Sequence, residues 1–172
     1  MYTGQYAAIA AGGGLLFADD PTAHSPGLDA RLAARWSPVL QIFDLEAFLD
    51  AGLVQLGPER TAQRRLAAGL QLNLHPFFAG LVWNNVLGVI AAGLHGLLGA
   101  DITHVNDAGF GLRKVIGVGA DIPLMSLQAS GGVWLTIRAS ERWLSAGSDD
   151  QVAGDRRLSA FVSWRWYDVL GR

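Results

Sequence analysis

Charged residues recur at alternate positions inside otherwise apolar runs of this sequence. They are Asp29, Arg31 and Arg35; Asp44, Glu46 and Asp50; then Arg65, Arg113, Arg138 and Arg165. Such a set, gathered on one face of several strands, could line a selective pore or hold a charged ligand. The favoured reading is a network of ion pairs that fills an interior, because a charge taken out of water must be paired and a narrow barrel has no room for a wide aqueous channel. The basic residues favour confinement: twelve are arginine and only Lys114 is lysine. A planar guanidinium can satisfy several acceptors at once, which suits crowded surroundings.

The other chemistry-bearing residues form no motif. His24 and His104 fall in or beside polar stretches, His75 at a strand end, and His95 inside an apolar run. Asp101, His104 and Asp107 lack the spacing of a metal site. A base such as His104 could activate Ser145 or Ser148 only if the fold brought them within hydrogen-bond reach. Gly12–Gly14 and Gly117–Gly119 do not complete a phosphate-cradling loop, and read as close packing against bulky interior side chains. No catalytic residue, metal or cofactor is expected. Cysteine is absent, which removes disulfides and thiolate chemistry. A net charge of −2 leaves no basic field to attract nucleic acid.

The elements that must position these charges have a period of two. Alternation runs through Leu28–Trp36, Phe43–Leu53, Leu66–Leu74, Leu112–Ile122, Val133–Ala139 and Leu158–Trp166, with Lys114 and Val115 as a break. Two further strands are expected, over residues 5–17 and 86–103. Residues 79–100 are also long enough to cross a membrane as a helix. However, Asn84, Asn85, His95 and five glycines weaken that reading, and it would leave the alternating segments unexplained. The connections at 18–27, 54–62, 104–109 and 144–156 are polar, whereas those near 37–41, 75–84 and 123–131 are tighter and proline-marked.

Apolar residues make up 51% of the chain and charged residues only 16%, an apolar excess for a water-solvated domain. The apolar set is lipid-like, and the polar set is a poor water surface, rich in Gly and Ala. Aromatics gather near the strand ends, notably Trp36, Phe43, Trp83, Trp143, Trp164 and Trp166, where membrane interfaces would lie. Strands beside lipid must close on themselves, because open edges are not tolerated there. The expectation is therefore all-β: one domain over residues 1–172, forming a closed antiparallel up-and-down transmembrane barrel of eight strands.

The alternating strands, with the final segment Ser159–Tyr167, resemble the small outer-membrane β-barrel superfamily of OmpA-like, OmpX-like and OmpW-like barrels. The resemblance covers nearly the whole chain, and Ser159–Tyr167 is similar to the C-terminal strand read by barrel-insertion machinery. Asp168–Arg172 departs from the pattern, since that family usually ends on the aromatic. The resemblance implies a bacterial outer-membrane location. Tyr2–Tyr6 lacks the positive region of a signal peptide, so a leader would already have been removed. It also implies membrane lipid, lipopolysaccharide included, and other envelope proteins as partners. The function expected is a non-enzymatic structural barrel or accessory subunit of an envelope assembly. The alternatives are a lipid A-modifying enzyme and a narrow pore or small-molecule carrier.

Overall fold

The computed structural model describes residues 5–19, 23, 25–39, 42–56, 61–83, 86–106, 108–127, 131–144 and 154–167. Eight strands follow one another: β1 (Tyr6–Ala18), β2 (Gly27–Val39), β3 (Phe43–Leu56), β4 (Thr61–Leu74), β5 (Leu94–Val105), β6 (Gly109–Leu127), β7 (Gly131–Leu144) and β8 (Asp155–Tyr167). Each pairs antiparallel with its sequence neighbours, and β1 closes on β8. Following paired residues around the wall, Trp166 leads through Ala7, Trp36, Leu45, Leu72, Leu98, Ile116 and Glu141 to Arg156, ten residues from where the circuit began. That stagger tilts the strands by about 40° and leaves an interior that side chains can fill.

The barrel is inverted relative to a water-soluble one. Arg, Asp, Glu, Asn and Thr point into the lumen, while Leu32, Leu49, Leu66, Leu70, Ile102 and Val162 face outward and are more than half exposed. Period two makes this separation strict: a residue that faces inward is followed by one that faces out. Large apolar side chains inside include Leu16, Leu97 and Trp134, and Phe48 and Phe161 pack with Ala10 and Ala33 as a small core at mid-height.

Exposed aromatics mark the two rims. Trp36, Trp164 and Trp166 sit toward the end that carries both termini, with Phe43 half-buried beside them, and Trp143 lies toward the opposite end with Phe17 and Phe110. The side chain of Trp83 falls outside the described residues. Lys114 does not break the pattern: it points outward beside Trp143, and Val115 points inward. There its ammonium can reach the interface. Glu141 and Arg156 form an exposed ion pair nearby, at 3.4 Å. Among the described residues, none that faces outward toward the termini carries a charge.

One expected strand is corrected. Residues 86–103 are not a single strand: Val86–Gly93 forms a helix, α1, and β5 begins only at Leu94. Phe78–Trp83 is a 3-10 turn, so the connection expected as a tight turn at 75–84 is the longest on its side. The run Val86–Gly93 has no alternation to hold it in a sheet, and its glycines fall at positions 88 and 93. Among the described residues, no helix is long and apolar enough to cross a membrane. Gly12–Gly14 also differs from expectation. Side chains at Gly12 and Gly14 would run into the β8 backbone, and one at Gly13 into the β2 backbone, instead of meeting lumen side chains. Gly109 takes φ +82° to close the short turn between β5 and β6, a conformation that glycine adopts without strain.

The outward face makes a quantitative demand. Leu70 lies near mid-wall, paired with Ala47 and Ala100. Leu70→Arg should lower the unfolding free energy in lipid vesicles by about 2–4 kcal/mol, whereas Phe110→Arg, near the rim, should cost about 0–1 kcal/mol. Equilibrium urea titrations measure both, and equal effects would contradict the depth assigned here.

Candidate functional site: the filled lumen

Eight arginines and seven carboxylates are buried among the described residues. Strand parity brings them together: each lies on the inward face of its strand, and closure of the sheet makes the faces converge. They form three connected tiers.

The tier nearest the termini is built on Asp44 and Asp121. Arg35 bridges them, donating to Asp44 Oδ2 at 2.7 Å and to Asp121 Oδ2 at 3.1 Å. Asp121 also pairs with Arg165 at 2.6 Å and accepts from Thr136 Oγ1 at 2.6 Å. Asp44 accepts from the Tyr6 hydroxyl at 2.8 Å and from Asn73 Nδ2 at 2.5 Å. The Arg165 guanidinium stacks over Trp134, 4.1 Å from the ring centroid.

Glu46 holds the middle tier. Arg138 donates to both of its oxygens at 2.9 Å, in the bidentate geometry that makes guanidinium–carboxylate pairs strong. Arg31 reaches Glu46 at 3.2 Å and grips Asp50 with two bonds, at 2.6 and 2.8 Å. The Arg31 guanidinium also lies 4.0 Å from the Phe48 ring centroid.

Asp50 leads into the third tier. It pairs with Arg142 at 2.5 Å and Arg157 at 2.9 Å. Arg157 continues to Asp155 at 2.9 Å and Asp29 at 3.4 Å. Arg113 joins Asp101 at 3.0 Å to Asp155 at 2.5 Å, and Arg65 reaches Asp155 at 3.1 Å. At the other end of the middle tier, Arg35 approaches Glu46 at 3.5 Å, so the network is continuous from one rim to the other.

All ten charged residues singled out from alternation, Asp29, Arg31, Arg35, Asp44, Glu46, Asp50, Arg65, Arg113, Arg138 and Arg165, are buried in this network. Sequence reasoning did not place Asp101, Asp121, Arg142, Asp155 or Arg157 in the lumen network. Asp121 and Asp101 share the parity of their neighbours, which was the available signal. Arg142, Asp155 and Arg157 sit at strand ends, where charge reads as loop.

A histidine pair was also missed. His75 and His95 stack beside the lowest tier with ring centroids 5.0 Å apart. His75 Nδ1 meets the Ala92 carbonyl at 3.1 Å, and Nε2 meets Asp44 Oδ2 at 2.9 Å. Both partners are acceptors, so the two bonds coexist only when both ring nitrogens carry protons. His95 Nδ1 meets the Gly93 carbonyl at 3.0 Å. Its ring lies across Gly119, where a Cβ would strike the imidazole.

Donor atoms of His75, His95 and Asp121 lie within 4.8 Å of one another, a set that could hold a transition metal. Asp121 is already claimed by two guanidinia and a hydroxyl, and His75 by Asp44. A cation would have to displace them, so the geometry supports a hydrogen-bonded clamp at the foot of α1. Of the sequence's own metal candidates, Asp101 is bound by Arg113 and Thr103 inside the lumen, and His104 stacks on Phe110 at 4.6 Å. Asp107, His24, Ser145 and Ser148 fall outside the described residues.

The fold is that of an eight-stranded transmembrane barrel. No protein-family model matches the sequence, and no curated protein matches it. Two solved structures of similar shape are a barrel from "De novo design of transmembrane beta-barrels" and the outer membrane enzyme PagL. The first is 9% identical, with a TM-score of 0.43, over 96% of this chain and 98% of that one. The second is 15% identical, also at 0.43, over 91% and 97%. The fold assignment rests on the closed ladder and the inverted faces.

The network predicts an asymmetry between single and double substitution. Glu46→Gln leaves three guanidinia facing a neutral amide, and should lower unfolding free energy by about 3–5 kcal/mol. Glu46→Leu combined with Arg138→Leu removes both members of the bidentate pair, and should cost less than the single change. Urea titration in vesicles reads both; a double variant weaker than the single one would contradict the clamp.

Proposed function

We propose that this chain is a non-conducting, non-enzymatic outer-membrane barrel that serves as a structural element or accessory subunit of an envelope assembly. The observation that carries the reading is the lumen, crossed from rim to rim by paired arginines and carboxylates. A filled interior supports neither a pore nor an internal carrier site. Two grooves support the same view. One is bordered by Ala34, Trp36, Leu45, Ala47, Leu70 and Leu98, the other by Phe77, Leu94, Gly96, Val118, Ile137 and Leu158, and both open on the apolar outer wall.

The work of the molecule is then done at its surfaces. The connections on the side away from the termini run from three to ten residues, which offers little area for adhesion. That leaves the wall, whose apolar belt matches acyl chains or the wall of another membrane protein. The outer membrane is supported by the fold itself: the barrel is closed, and two of its three connections on the side of both termini, β2–β3 and β6–β7, are short turns.

Extraction of the tagged barrel from its own membranes in mild detergent, with native sizing and mass spectrometry, tests the assignment. The accessory role predicts a stoichiometric particle larger than one barrel. A bare barrel together with altered lipid A acylation upon expression would replace it with an enzymatic role.

A further inference from the structure

Strands β5 and β6 are unequal toward the termini. Their last pair is Leu94 with Ala120, yet β6 continues to Leu127, paired there only with β7. Seven residues of β6, Asp121 to Leu127, thus have one edge where β5 has already stopped. An open edge cannot face hydrocarbon, because its backbone groups would go unsatisfied. The last row of this extension is not outside the belt. Leu127 pairs with Gly131, and Gly131 with Trp166 of the aromatic rim.

Helix α1 lies against β6 where this edge begins. It packs on β6, and a Cβ at Gly93 would run into the Asp121 carbonyl. Its inner side is anchored: Ala92 and Gly88 are buried, and the Ala92 carbonyl is held by His75. Its outer side presents Leu87, 73% exposed, and Ile90. Leu124 and Met125 of β6, the strand α1 packs on, are exposed as well, and Phe77 borders a groove with Leu94 and Val118 of the outward belt. Between Pro76 and Ala100 the chain has no Asp, Glu, Lys or Arg. A helix pairs the backbone groups of its interior within itself, so it can stand against β6 where a strand has ended.

We propose that α1 is a helical patch in the barrel wall, immersed in the leaflet on the side of the termini, with Leu87 and Ile90 among acyl chains. This rests on the membrane reading of the belt, and goes beyond it by assigning a lipid-contacting role to a segment that would otherwise cap the mouth in water.

The chain has no cysteine, so single labels are clean. Leu87→Cys, Ile90→Cys and the belt control Leu70→Cys would each be labelled with bimane and refolded into vesicles with or without lipids brominated on their acyl chains. Refolding is checked beforehand by the heat-dependent shift of the unboiled band. The proposal expects brominated lipid to remove most of the fluorescence at positions 87 and 90, as at 70, with iodide in the buffer having little effect. Quenching at 70 by lipid, with 87 and 90 quenched by iodide alone, would overturn the proposal and leave the membrane belt standing. Quenching of all three by iodide alone would overturn the belt itself.

Discussion

The pairing of buried charge inside a narrow barrel is the constraint on which the rest of this structure depends. Moving a guanidinium or carboxylate out of water costs several kcal/mol even after relaxation, and only close, multiply bonded partners offset it. Eight strands leave no room for bulk water. Every inward charge must therefore find its partner inside the lumen, across it as Arg138 finds Glu46 or on the neighbouring strand as Arg31 finds Asp50. These partners lie on different strands, so the network cross-links the wall from inside and fixes register as well as charge. Arginine is used throughout because its fork reaches two carboxylates at once, as Arg35 and Arg113 do.

The outer wall follows from the inner one. With polar side chains committed inward, strand parity sends Leu, Ile, Val and Ala outward over the whole circumference. Such a surface is stable only against hydrocarbon or another apolar wall. Charge reappears on the outside at Lys114, Glu141 and Arg156, on the side away from the termini. The opposite rim is marked by tryptophans and by the uncharged stretch that contains α1. Interior and exterior are thus two consequences of one alternating pattern, and the short connections complete the closure.

Much of this was legible in the sequence because period two is a local signal. The alternation from Leu28 to Trp36, or from Leu158 to Trp166, specifies both a strand and which of its residues face together. The filled lumen followed from the inward set being charged, arginine-rich and confined. What was not legible is what depends on register or on broken period. His75 and His95 are twenty positions apart and meet only because β4 and β5 are neighbours with α1 tucked beneath them. Arg142, Asp155 and Arg157 continue their strands, but charge at a strand end looks like the start of a loop. Val86–Gly93 is apolar on every side, so no periodicity separates strand from helix; the early stop of β5 decides it.

Single-channel recording in planar bilayers tests the central claim most directly. Inserted barrel with the native network should show no discrete conductance at neutral pH, since each tier is spanned by paired side chains. Stable, stepwise currents from the unaltered protein would mean that the lumen is open, and would contradict the account.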